Sequence, residues 1–150
     1  ELADTFRNRY KNFDLLKAVP YKGIYEVFDM FVNCGIRLAI ATYKRQDYAV
    51  ELLKHFHFDS YTNVMYGADN FNRLKKKDII LKCMNDSGVT ECSKAVMIGD
   101  SDNDAIGARD LGMNFIGVTY GFDFKTEEDV KKYPAIGNAS TPGELIPYFI

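Results

Sequence analysis

The sequence predicts an α/β fold: a doubly wound parallel sheet with helices on both faces. Three observations lead there. Short apolar runs, Arg37–Thr42, Asn63–Gly67, Ala95–Gly99 and Asn114–Thr119, have the length and composition of strands. Segments whose apolar residues recur at helical spacing separate them, which is the pattern of successive β-α units. The strands end in or run straight into polar residues, Thr42 and Asp100 among them, and in such sheets the site lies at the carboxyl ends of the strands.

The composition is that of an ordinary globular chain. Of 150 residues, 47% are hydrophobic and 27% charged, and the net charge is −2. One domain fits this length, and neither a nucleic-acid partner nor a membrane partner is expected from so balanced a charge. No run approaches the roughly 18 apolar residues of a membrane span. Three cysteines without Cys-x-x-Cys spacing argue against a disulfide framework and for a reducing compartment, so a cytoplasmic location is expected.

Taken in order, Glu1 to Ala18 carries large apolar residues at roughly helical spacing. Pro20-Tyr21-Lys22-Gly23 is a turn, after which Ile24, Val27, Phe28, Phe31 and Val32 mark an amphipathic helix stopped by Gly35. The strand Arg37–Thr42 follows, with Tyr43-Lys44 behind it, and Asp47–Phe56 is again helical. His55 and His57 lie two apart on that helical segment and so face different directions, which argues against shared metal ligation. After the weak strand Asn63–Gly67 comes a basic run, Arg73-Leu-Lys-Lys-Lys77, just before a helix that buries Ile79, Ile80, Cys83 and Met84. Such a cluster is most often a solvated face. Ala95–Gly99, expected to be buried on both faces, leads into Asp100, Asp102 and Asp104 and a helix over Asp102–Leu111. Asn114–Thr119 is a strand, Tyr120-Gly-Phe122 a turn, Glu127–Lys132 a short helix, and Pro142 starts a last helical segment.

The acidic stretch has two readings. Asp and Ser at a helix start are ordinary caps. Yet one cap needs one acceptor, and three carboxylates in five residues repel one another unless something compensates them. A hard divalent cation would, and Mg²⁺ uses only one or two carboxylates while keeping waters and substrate oxygens. Thr42 is likewise divided between a good strand residue and an anion-binding hydroxyl.

Gly99-Asp100 with Asp104 four residues on, behind an apolar strand, resembles the late acidic motif of the haloacid-dehalogenase-like phosphatases, and the chain looks closest to their phosphoglycolate-phosphatase-like branch. Phe6-Arg-Asn-Arg-Tyr10 is similar to a run at the end of their helical cap domain, and Tyr120-Gly-Phe122 to an aromatic-glycine turn of that branch. The resemblance implies a Rossmann-like core over residues 19–150, with residues 1–18 as the return from a mostly absent cap. It further implies Mg²⁺-dependent hydrolysis of a small phosphorylated metabolite through an aspartyl-phosphate. Asp100 and Asp104 would serve the metal, while Thr42, the backbone of Tyr43 and Lys76 would bind the phosphate, with Thr42 and Lys76 catalytic. Lys75 and Lys77 are alternatives to Lys76, one residue out of register.

One element of the family is not in the sequence: no Asp-x-Asp-x-Thr segment, the source of nucleophile and general acid, occurs in residues 1–150. The expectation is therefore a fragment of a phosphatase, inactive alone. The competing reading is a non-catalytic relative that binds a phosphate or a partner. Because the resemblance places the family's first strand between the strands ending at Thr42 and Gly99, those two are expected to pair directly, or to be bridged by another segment or a second chain, or else the 150 residues are part of a longer molecule.

Overall fold

The computed structural model describes residues 21–71 and 73–150. The expected return helix in residues 1–18 lies outside them. Helix α1, Ile24–Asn33, buries Ile24, Val27 and Phe31 and ends at Gly35, whose φ of 80° lets Gly35 N–H and Ile36 N–H close back on the Val32 and Phe31 carbonyls. Strand β1 is Ile40–Arg45, helix α2 Gln46–His55, strand β2 Met65–Ala68 and helix α3 Lys76–Asp86. Strand β3, Val96–Gly99, leads to helix α4, Asp102–Leu111, then strand β4, Asn114–Val118, helix α5, Glu127–Lys131, and strand β5, Gly137–Ala139. A 3₁₀ segment, Pro142–Tyr148, closes the chain, with Pro142 in the first turn where its missing N–H costs nothing.

All strand pairs are parallel, as the alternation predicts, in the orders β1-β2 and β3-β4-β5. The second sheet is wound on both faces. On one side Ile80 and Met84 of α3, Ala105 and Ala108 of α4, Phe115, Phe124 and Val130 form one core; on the other, Val27 and Phe31 of α1 meet Ile116, Val118, Ala139 and Leu145. Burying these side chains contributes roughly 1.5–3 kcal/mol for each large one.

Three expectations need correction. Strand β1 begins three residues later than predicted and continues through Tyr43-Lys44-Arg45. Leu38 does pack in the core, but its carbonyl is taken by the Thr62 hydroxyl at 2.5 Å. The β1-β2 register then shifts between Ala41 and Arg45, and the Gln46 carboxamide fills the interruption, donating to Met65 O at 3.0 Å and accepting from Gly67 N–H. The doubly buried strand is β4, in which only Asn114 is exposed; Val96, Met97 and Ile98 of β3 are half-buried.

The third correction concerns β1 and β3, which neither pair nor are bridged by a strand among the described residues. Helix α3 joins the two sheets instead. It packs on β1, β2 and α4, and it directs the Cys83 thiol to Ile40 O at 3.4 Å while Ile80 and Met84 enter the other sheet's core. Strand β5 has no counterpart in the sequence pattern, because three residues including a glycine carry too little periodicity to be read.

Candidate active site

The centre of the site is an ion pair between two buried side chains at helix starts. Lys76 is the first residue of α3 and Asp104 the third of α4, and Lys76 Nζ lies 2.8 Å from Asp104 Oδ1. The side chains are 9% and 7% exposed. A lysine is almost never this buried unless paired, and the positive end of a helix dipole is the wrong place for it. The local sequence therefore does not favour this position, and tertiary contacts hold the ammonium there. Oδ1 has the ion pair but no aligned hydrogen bond, so it is an electrostatic contact rather than a directed one. Lys75 is exposed and Lys77 half-buried, so of the three lysines the geometry singles out Lys76.

The other Asp104 oxygen, Oδ2, accepts from Asp100 N–H at 3.1 Å, and Asp104 N–H donates to the Ser101 hydroxyl at 3.4 Å. Gly99 is needed here, since a Cβ on it would overlap the Asp104 carboxylate. Asp100 itself holds the loop after β4: its Oδ2 accepts from Phe122 N–H and its carbonyl from Phe124 N–H, both at 2.8 Å. Gly121 is the counterpart of Gly99, because a Cβ there would overlap the Asp100 carboxylate. The aromatic-glycine turn thus has a structural reason. Tyr120 and Tyr21 stack edge to face beside it at 4.9 Å. Burial, then Tyr21 and then the charge on Asp100 push the Tyr120 hydroxyl up to about 12. Burial and Asp100 also raise Tyr21.

The three carboxylates do not crowd together. Asp104 turns inward to Lys76, Asp100 turns to the Phe122 loop, and Asp102 is exposed, facing a shallow cleft of about 380 Å³ shared with Asp123, Asp129 and Lys132. Asp102 and Asp104 point to different sides of the helix start and Asp100 lies before its cap, so the repulsion expected from the sequence is relieved by geometry. His55 and His57 are both exposed.

Thr42 and Tyr43 occupy β1. The half-buried Thr42 hydroxyl accepts from Lys44 N–H at 3.2 Å and makes no hydrogen bond to Lys76, Asp100 or Asp104. The contact from β1 to Lys76 is made by the side chain of Tyr43, whose hydroxyl accepts from Lys76 N–H at 2.7 Å and whose ring centroid lies 5.3 Å from Lys76 Nζ. The family resemblance implies a role only for the Tyr43 backbone. No local signal points from a tyrosine on one strand to a helix start 33 residues on.

Among the described residues no group of three His, Cys, Asp or Glu side chains could hold a metal ion. The donor set does fit Mg²⁺ in part, because that ion uses one or two carboxylates and keeps waters. Asp100 Oδ2 takes the Phe122 N–H, and Oδ1 of the same half-buried carboxylate has no hydrogen bond among the described residues.

Comparison with known proteins bears on the family and the fold. The family described as haloacid dehalogenase-like hydrolase matches residues 1–118. Among curated relatives, a 5'-nucleotidase of Pseudomonas aeruginosa is 31% identical over 127 residues, 85% of this chain and 58% of that protein. A phosphoglycolate phosphatase of Agrobacterium fabrum is 35% identical over 105 residues, 69% of this chain and 44% of its own length. The chain thus spans about half the length of the curated relatives it matches. Among solved structures, a "predicted phosphatase" from Clostridium acetobutylicum superposes with a TM-score of 0.89 at 28% identity, covering 97% of this chain and 67% of that one. A haloacid dehalogenase-like hydrolase from Streptococcus pneumoniae, at 24% identity, gives 0.88 over 99% and 68% and attests the fold alone. A family match over most of the chain, relatives above 30% identity and a shared fold lead to one conclusion: this chain belongs to the haloacid dehalogenase-like hydrolases.

Proposed function

We propose that the chain carries the phosphate- and metal-binding half of a Mg²⁺-dependent phosphatase acting on small phosphate monoesters. The observation that carries this reading is Lys76, a buried ammonium at a helix N-terminus beside Asp104 and Asp100. Cation, backbone amides and carboxylates at strand ends are the parts phosphoryl transfer uses, because its transition state asks for positioning and charge stabilisation. In this reading Lys76 neutralises a phosphoryl oxygen, Thr42 and the Tyr43 backbone N–H bind another, and Asp104 fixes Lys76 in place. Asp100 would hold Mg²⁺, with Asp104 as a further ligand or as the group that orients the Asp100 backbone. When bound, the ion supplies positive charge between two anions brought together.

Relatives named phosphoglycolate phosphatase, 5'-nucleotidase and pyrophosphatase support a small phosphorylated substrate without choosing one. All three cysteines are free thiols, which supports a cytoplasmic setting; among the described residues no helix is long and apolar enough to cross a membrane.

A second reading, a phosphate- or partner-binding relative without turnover, is favoured by one sequence fact, the absence of an Asp-x-Asp-x-Thr segment from the 150 residues. Hydrolysis of p-nitrophenyl phosphate with Mg²⁺ separates the two, measured on this chain and on a version extended through the upstream reading frame. The phosphatase reading expects background rates for the former and turnover, lost in Lys76→Ala, for the latter. Background in both, with inorganic phosphate still bound, would favour the binding-only reading.

A further inference from the structure

We infer that the side chain of Tyr43 is a positioning residue for Lys76, holding the lysine at the meeting point of the two sheets. The inference rests on the assignment of Lys76 to the phosphate site. Helix α3 opens Lys75-Lys76-Lys77, so neither its cap nor its first residue offers the side-chain oxygen that normally satisfies a first-turn N–H. Asp78 reaches back only to Lys75 N–H, at 2.8 Å. The Lys76 N–H is left over, and Tyr43 from β1 supplies its acceptor at 2.7 Å. The same ring stands 5.3 Å from the Lys76 ammonium, within reach of an aromatic-cation attraction.

Lys76 is therefore gripped from both sides. Its backbone is tied to β1 of the two-stranded sheet, and its ammonium is tied to Asp104, which follows β3 of the three-stranded sheet. Since β1 and β3 do not pair, the line Tyr43–Lys76–Asp104 fixes where the ammonium sits relative to the carboxyl end of each. An ordinary capping tyrosine would need only the backbone bond. Here the hydroxyl places the helix start and the ring restrains the side chain that leaves it. At 43% exposed, Tyr43 also stands at the surface, where substrate could approach Lys76.

The test is acylation of the full chain with an amine-directed reagent at neutral pH. Mass spectrometry reads Lys76 against Lys75 and Lys77 as internal references, and inorganic phosphate binding is followed by calorimetry. In wild type, Lys76 should be the slowest of the three. Tyr43→Phe, which keeps the ring and loses the acceptor, should raise Lys76 labelling relative to its neighbours about five-fold, the factor one ordinary hydrogen bond is worth. It should weaken phosphate by a similar factor. Tyr43→Ala, losing the ring as well, should raise labelling about ten-fold or more. If Tyr43→Ala unfolds the chain, all three lysines label alike and Tyr43→Phe decides. A Lys76 ratio unchanged in Tyr43→Phe overturns the inference. Wild-type chain that binds no phosphate while Lys76 labelling still follows Tyr43 overturns the phosphate-site reading and leaves the positioning role standing.

Discussion

The starts of helices α4 and α5 are written in nearly the same letters and do different things. Each has a hydroxyl at the cap, Ser101 or Thr126, accepting from the N–H three residues on, and each has an aspartate at that third position, Asp104 or Asp129. Asp129 closes on its own helix: Oδ2 accepts from Thr126 N–H at 3.2 Å and Lys125 N–H at 3.0 Å, and the side chain is 36% exposed. Asp104 skips its cap, takes the Asp100 N–H alone and gives its other oxygen to a buried ammonium. Local sequence asks for a cap in both places. What separates a cap from a site is the residue that meets the second oxygen: for Asp104 the buried Lys76 from another helix, for Asp129 the exposed Lys132 of its own helix end, 4.0 Å away.

Removing one partner from each region should show the difference most sharply. Lys76→Met leaves the Asp104 charge buried and unpaired, and chemical denaturation should find it about 3–5 kcal/mol less stable. The double substitution Lys76→Met with Asp104→Leu should recover most of that loss, since an apolar pair of similar size is often as stable as a buried ion pair. A single substitution costing less than about 1 kcal/mol would put Asp104 in the same class as Asp129.

At α5 the expected effect is smaller and depends on pH. Backbone N–H groups of Lys125 and Thr126 hold the Asp129 carboxyl below its ordinary value of 3.8. A lowered folded-state value stabilises the fold above the unfolded value, and that stability disappears as pH falls through the folded one. Asp129→Asn should lower the melting temperature by roughly 2–4 °C at pH 7, and the gap to wild type should close below about pH 3.8. A gap that persists in acid would mean that shape at Asp129 matters more than charge.

The same contrast marks what was legible in the sequence. Parallel order, helices α1 and α4, the Gly35 stop and Pro142 at a helical start follow from period and punctuation, which are local. Lys76 was legible only through family resemblance, because three lysines in a row carry no local mark of which one is buried. Neither the departure of Asp104 from its cap nor the Tyr43 bond to Lys76 was legible, since each joins elements separated by tens of residues. The shift of β1 past Thr42 was hidden for a related reason. Tyr43-Lys44-Arg45 is polar enough to read as a turn, and a side chain, Gln46, maintains the strand pairing there.

The claim that Asp100, Asp104 and Lys76 form a binding site, and not a pair of elaborate caps, is tested most directly by thermal unfolding in Mg²⁺ and inorganic phosphate. A ligand that binds only the folded chain raises its stability by an amount set by concentration over dissociation constant. Asp100→Asn is the decisive variant: its amide oxygen can still accept from Phe122 N–H, so the loop is kept while the metal-binding charge is lost. The account predicts a melting temperature that climbs steadily through the millimolar range in wild type and stays flat in Asp100→Asn. A wild-type melting temperature unmoved by millimolar Mg²⁺ and phosphate together would contradict it.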